Sequence, residues 1–106
     1  MNEYINTVLT NLQNNLKFLR KEIAQITQQE LASQSGVSKD VIWRMENNKW
    51  DGGRTAPSLT SVITLCSFYG LTVTQMLDDS IENSNRQSFL KQQYMQAHKP
   101  DERYIT

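Results

Sequence analysis

Lys39, Asp40, Trp43 and Arg44 form a close group of interaction-capable side chains. Two cations, a carboxylate and an indole suit hydrogen-bonded recognition of a polar partner rather than bond-making. On a helix they share its outer, N-terminal surface. Other chemistry is poorly supplied. Cys66 is the only cysteine and His98 the only histidine, far apart in sequence. They read as a core thiol and a surface imidazole rather than a nucleophile and its base. One cysteine excludes an intramolecular disulfide and a thiolate metal cluster. There are no carboxylates at acid/base spacing, no phosphate-binding glycine loop and no metal constellation. The expectation is a non-enzyme that needs no cofactor.

The 106 residues suffice for one modest core. No apolar run approaches the roughly 20 residues of a membrane span, and the N-terminus lacks the pattern of a secretory signal. A cytoplasmic protein without membrane contact is expected. Net charge is zero, which argues against indiscriminate nucleic-acid binding. The charge is weakly segregated. Lys39, Arg44, Lys49 and Arg54 outnumber Asp40, Glu46 and Asp51, while Asp78, Asp79 and Glu82 collect further on.

The elements that must position the group all read as helices. Ile5, Val8, Leu9, Leu12, Leu16, Leu19 and Ile23 make one stripe from about residue 2 to 23. That stripe is longer than a small core needs. Either a break falls near Asn11–Asn15 or the first turns pack on something else. Thr27-Gln28-Gln29-Glu30 spells a capping box opening a short second helix with Leu31 and Ala32 inward. Gly36 ends it, Val37 turns inward, and Ser38 caps a third helix over about residues 39–47, with Val41 or Ile42 and Met45 inward. Turn formers fill residues 47–57. Ser58 caps a fourth helix with Leu59, Val62, Leu65, Cys66 and Tyr69 inward, closed by Gly70. Thr72-Val73-Thr74-Gln75 opens a short fifth helix through Leu77. Phe89, Leu90, Tyr94 and Met95 stripe a weak last helix before a loose tail. The expected organisation is a binding domain over 1–80 and a C-terminal extension over 81–106.

Two short helices joined by a tight glycine turn, the second capped by serine, are the elements of a DNA-binding helix-turn-helix. Small Ala32 lets the helices cross closely, Gly36 permits the abrupt turn, and Val37 and Ile42 pin the second helix so that its opposite face stays free. The ordered series Gln28-Gln29-Glu30-Leu31-Ala32, Gly36-Val37-Ser38, Ile42-Trp43-Arg44-Met45-Glu46-Asn47 and Pro57-Ser58-Leu59 resembles the phage-repressor and Cro-like (Xre-type) helix-turn-helix family. Gly70-Leu71-Thr72 with Met76-Leu77 looks like that family's last helix. The resemblance implies an all-α, five-helix lambda-repressor-like domain, here with an extended first helix and a short helical or loose C-terminal tail.

The resemblance also implies roles. Gln28 matches the family's backbone-contacting glutamine, its amide and helix N-terminus facing a phosphate. Ser38, Lys39, Asp40, Trp43 and Arg44 fall where the family faces bases or flanking phosphates. Lys39 and Arg44 suit guanine O6 and N7; Asp40 suits cytosine N4, or orients Lys39 or Arg44. Trp43 is either a thymine-methyl contact or a lid on the core. Arg20 and Glu46 match a charged pair bridging the first and third helices. Between Arg20 and Gln28 this chain has one residue more than is usual, and Ala24-Gln25 replaces the common glycine turn, so Lys21 is an alternative partner for Glu46. The loop after the third helix is longer than the family's, and Lys49 and Arg54 in it suit a phosphate clamp. The implied partner is a double-stranded DNA operator, bound by a homodimer as a repressor. Candidate dimer surfaces are the fifth helix with Phe89 to Tyr94, and Ile5, Val8 and Leu9. Two other readings are a DNA-binding antitoxin with a toxin or other protein partner, and a protein-interaction module without DNA binding.

Overall fold

The structure, a computed structural model, describes residues 3–47, 57–77 and 87–98, and every regular element among them is helical. In chain order these are α1 (Glu3–Phe18) with a π-helical continuation (Leu19–Ala24), α2 (Gln28–Ser35), α3 (Lys39–Asn47), α4 (Leu59–Tyr69), α5 (Val73–Leu77) and α6 (Gln87–Ala97). The expected all-α domain with a long first helix and a helical C-terminal segment is what forms.

α1 runs unbroken through Asn11–Asn15. It buries Leu12 and Leu16, while Tyr4 and Ile5 in its first turns stay exposed. The asparagines have a different task from breaking the helix. Asn15 is fully buried and its Nδ2 donates to the Met76 carbonyl at 2.7 Å; Asn11 Nδ2 donates to the Leu77 carbonyl at 3.1 Å. The last carbonyls of any helix lack internal partners, and a five-residue helix is almost all ends. α1 thus caps α5 from the side and holds Met76 in the core.

The end of α1 is wound as a π-helix, which takes more residues per turn than an α-helix. It closes at Gln25, whose φ of 55° is the only positive value at a non-glycine among the described residues. The Arg20 carbonyl accepts from the N–H groups of both Gln25 and Ile26, the latter at 3.2 Å. Leu19 and Arg20 face inward from this π-helical turn.

The caps form as read. Thr27 Oγ1 accepts from the Glu30 N–H, and Glu30 Oε1 accepts from the Thr27 N–H, both at 3.0 Å. Gly36 sits at φ 83°. Ser38 Oγ accepts from the Val41 N–H, Ser58 Oγ from the Ser61 N–H, and the Thr72–Gln75 box closes in both directions. The core gathers Leu12, Leu16, Leu19, Leu31, Ile42, Met45, Leu65, Cys66, Tyr69, Met76 and Leu90. In α4 the inward assignment of Leu59 fails, since it is 68 % exposed. It is the first residue of α4, and a helical side chain leans toward the N-terminus. Leu59 therefore hangs past the edge of the core, which ends at Val62.

α6 is docked by Leu90, fully buried, and by half-buried Tyr94; Phe89 and Met95, also expected in its stripe, are exposed. Tyr94 packs in an aromatic cluster with Phe68, Tyr69 and His98, ring centroids 4.4–6.1 Å apart. His98 is exposed as expected, yet its Nε2 meets the Phe68 carbonyl at 2.7 Å. Gly70 at φ 73° does more than end α4. A Cβ there would lie 2.7 Å from the Gln93 carbonyl oxygen, so the helix backbones approach too closely for any side chain.

Two expectations follow. Gln25→Gly relieves left-handed strain at the end of α1 and raises stability by roughly 0.5–1 kcal/mol in urea unfolding; a decrease would contradict the backbone described. The second concerns alkaline pH. Burial pushes the Cys66 thiol up to about 11 from an ordinary 9.0, and it also raises Tyr69. Between those values the folded state keeps a proton that the unfolded chain has lost. Stability is therefore intact below pH 9.0 and falls toward about 11, by up to about 1.4 kcal/mol per pH unit for the thiol. Cys66→Ala flattens part of that decline when unfolding is followed across the window.

Candidate nucleic-acid interface

α3 has two faces of opposite character. Ile42, Met45 and Glu46 are each about 1 % exposed and anchor the helix. Lys39, Asp40, Trp43, Arg44 and Asn47 are exposed on the other side. The structure thus brings four of the expected site residues to one surface, with the Ser38 hydroxyl at its start serving as the α3 cap. Trp43 is 51 % exposed and has no place in the core, so its indole stands outward rather than forming a lid. Arg44 Nη2 lies 2.8 Å from Asp40 Oδ2, one turn apart, which selects Arg44 over Lys39 as the residue Asp40 orients. Asn47, absent from the expected site, donates from Nδ2 to the Trp43 carbonyl at 3.0 Å and ties the last turn. Its only sequence signal was a polar residue at the helix end. Lys49 and Arg54, the expected clamp, lie outside the described residues.

What fixes α3 at this angle is a buried ion pair. Arg20 Nε donates to Glu46 Oε2 at 2.9 Å and Nη2 to Oε1 at 2.9 Å, a bidentate fork. Nη1 donates to the Ile26 carbonyl at 3.0 Å. The partner of Glu46 is therefore Arg20, and Lys21 points to solvent. The hydrogen bond that Arg20 donates to Glu46 raises the Arg20 pKa, against the lowering effect of burial. Gln28 joins the same network: its Nε2 donates to Glu46 Oε1 at 3.2 Å and the residue is half-buried. The first residue of α2 is thus tied to α3, a link that the expectation of a phosphate-facing amide did not include. Nearby, the fully buried Tyr69 hydroxyl has no hydrogen-bond partner among the described residues. Burial and the field of Glu46 both hold it in the neutral phenol form.

Among the described residues no cluster of His, Cys, Asp and Glu could hold a metal ion, and no helix is long and apolar enough to cross a membrane. The surface suits recognition of hydrogen-bonding groups presented in a groove about as wide as a helix. Breaking the network beneath it is expected to be costly. Glu46→Gln leaves the Arg20 charge buried without its counter-ion and costs about 3 kcal/mol. Arg20→Met with Glu46→Leu costs much less than the two single changes summed, read as unfolding free energies in urea. Additive costs would show that the pair is not coupled.

No curated protein and no solved structure matches the chain. A family model described as a helix-turn-helix domain matches residues 16–78, which run from the buried part of α1 to just beyond α5 and include every element of the ion-pair network. Helix-turn-helix domains are DNA-binding modules. With more than half of its length matched, and with two short helices joined at Gly36 in the required order, the chain belongs to the helix-turn-helix domain family, of the Xre and Cro-like type.

Proposed function

We propose that this protein is a sequence-specific transcriptional regulator, a repressor that lays α3 in the major groove of double-stranded DNA. The observation that carries this reading is the two-sided α3, anchored by Ile42, Met45 and Glu46 and presenting Lys39, Asp40, Trp43 and Arg44 outward. Lys39 and Arg44 supply donors for guanine O6 and N7, and the Trp43 indole suits a thymine methyl. The free backbone N–H groups at the start of α2 meet the phosphate backbone beside Gln28, whose amide is tied to Glu46, and Lys49 and Arg54 contact flanking phosphates. With net charge zero, phosphate contacts are few and binding depends modestly on salt.

The protein acts as a homodimer on two half-sites about one helical turn apart, because one module of this size covers too little DNA for a specific affinity. Tyr4 on α1, and Leu59 and Ile63 on α4, are exposed apolar side chains suited to that contact. Residues 1–80 form the DNA-binding domain and 81–106 a C-terminal extension, within which α6 packs on the core through Leu90. Repression follows from occupancy, since a bound dimer excludes other proteins from the same stretch. The work is done in the cytoplasm.

Selection of bound sequences from random DNA tests this directly, with stoichiometry measured on the selected site. Enrichment of a two-fold sequence bound by two chains is expected; failure to enrich any sequence overturns the reading. On the selected site, Arg44→Ala or Lys39→Ala weakens binding by about 1–3 kcal/mol and relaxes base preference at one position per half-site. Lys49→Ala and Arg54→Ala weaken binding evenly across sequences and each lower the salt slope by about one.

A further inference from the structure

We infer that Asp40 is a specificity-determining partner of Arg44: its carboxylate aims the guanidinium at a guanine edge and keeps α3 from settling on phosphates alone. The inference rests on the DNA-binding reading above and concerns how that surface discriminates.

The observation is the contact of Arg44 Nη2 with Asp40 Oδ2 at 2.8 Å, with the two side chains 58 % and 67 % exposed. Exposed pairs at this spacing add little to stability, so support of the helix is a poor reason for the acid. On a surface that meets DNA the acid is also unfavourable in itself, because duplex DNA carries one negative charge per roughly 1.7 Å of axis. The outward face of α3 sets Lys39 and Arg44 against Asp40, and so is only weakly cationic.

The geometry gives the acid a use. A guanidinium is a planar fork with five N–H donors. A contact at Nη2 fixes the plane while leaving other donors for a bidentate approach to O6 and N7. A phosphate brings a charge that Asp40 repels; a guanine edge brings two placed acceptors with no net charge. The pair therefore favours a base edge over backbone, and the preference strengthens as the groove excludes water and the effective dielectric falls.

The test uses the full chain and the DNA selected above. The affinities of the parent, Asp40→Asn, Arg44→Ala and the double variant are measured at one salt concentration. The targets are the selected site, the same site with the Arg44-dependent guanine replaced, and random-sequence duplex. Asp40→Asn is nearly isosteric and removes the charge. It is expected to tighten binding to random duplex several-fold and to lower the ratio between selected and guanine-replaced sites about tenfold. In the Arg44→Ala background Asp40→Asn leaves that ratio unchanged, and Asp40→Glu, which keeps the charge, stays near the parent. An equal gain on all three DNAs would overturn the inference, since Asp40 would then only repel. So would an unchanged ratio, a ratio change that persists without Arg44, or a selected site with no Arg44-dependent guanine. A parent chain that binds none of the DNAs would overturn the DNA-binding reading itself, and the inference with it.

Discussion

The bidentate pair of Arg20 and Glu46 is the constraint on which the outward face of α3 depends. It joins four pieces of chain at one point: the π-helical end of α1, the Ile26 carbonyl before α2, Gln28 at the start of α2, and the last turn of α3. Removing two charges from water costs several kcal/mol per ion, and apolar residues of similar volume would fill the space as well. What apolar residues do not supply is direction. A fork that satisfies both carboxylate oxygens permits one rotation of α3 about its axis, and that rotation decides which side chains face outward.

The same economy appears at the ends of the molecule. α5 is too short to stand alone and is completed by two asparagine side chains from α1. α6 gains its place through Leu90, the aromatic cluster and the bare backbone of Gly70. Each short helix is thus held by a polar or steric fit as well as by apolar burial. This suits a core of few large side chains, where small errors of orientation would move a binding surface by a large fraction of its width.

Local signals along the chain mark the helices and the outward face of α3. Capping residues, helix-ending glycines and apolar periodicity act within a few residues, so Thr27, Gly36, Ser38, Ser58 and Gly70 marked their boundaries correctly, and the outward set on α3 followed from Ile42 and Met45 facing in. What stayed hidden depends on distant chain. Asn11 and Asn15 look like helix interrupters until α5 is beside them. Gln28 looks like a free amide until Glu46 arrives. Leu59 fits the stripe of α4, but only the packed structure shows where the core stops. The π-helical turn has no local signal of its own, since Gln25 is not a residue that favours the left-handed conformation it adopts there.

The asparagine clamp also bears on how the chain reaches this structure. Asn15 and Met76 are separated by 61 positions. At a synthesis rate of about 5–20 residues per second, α5 is made roughly 3–12 s after the part of α1 that it must meet. Small helical domains fold in microseconds to milliseconds once their contacts exist. Closure of this domain during synthesis is therefore timed by the ribosome rather than by the folding barrier, and the side of α1 that packs on α5 waits, uncovered, until α5 is made.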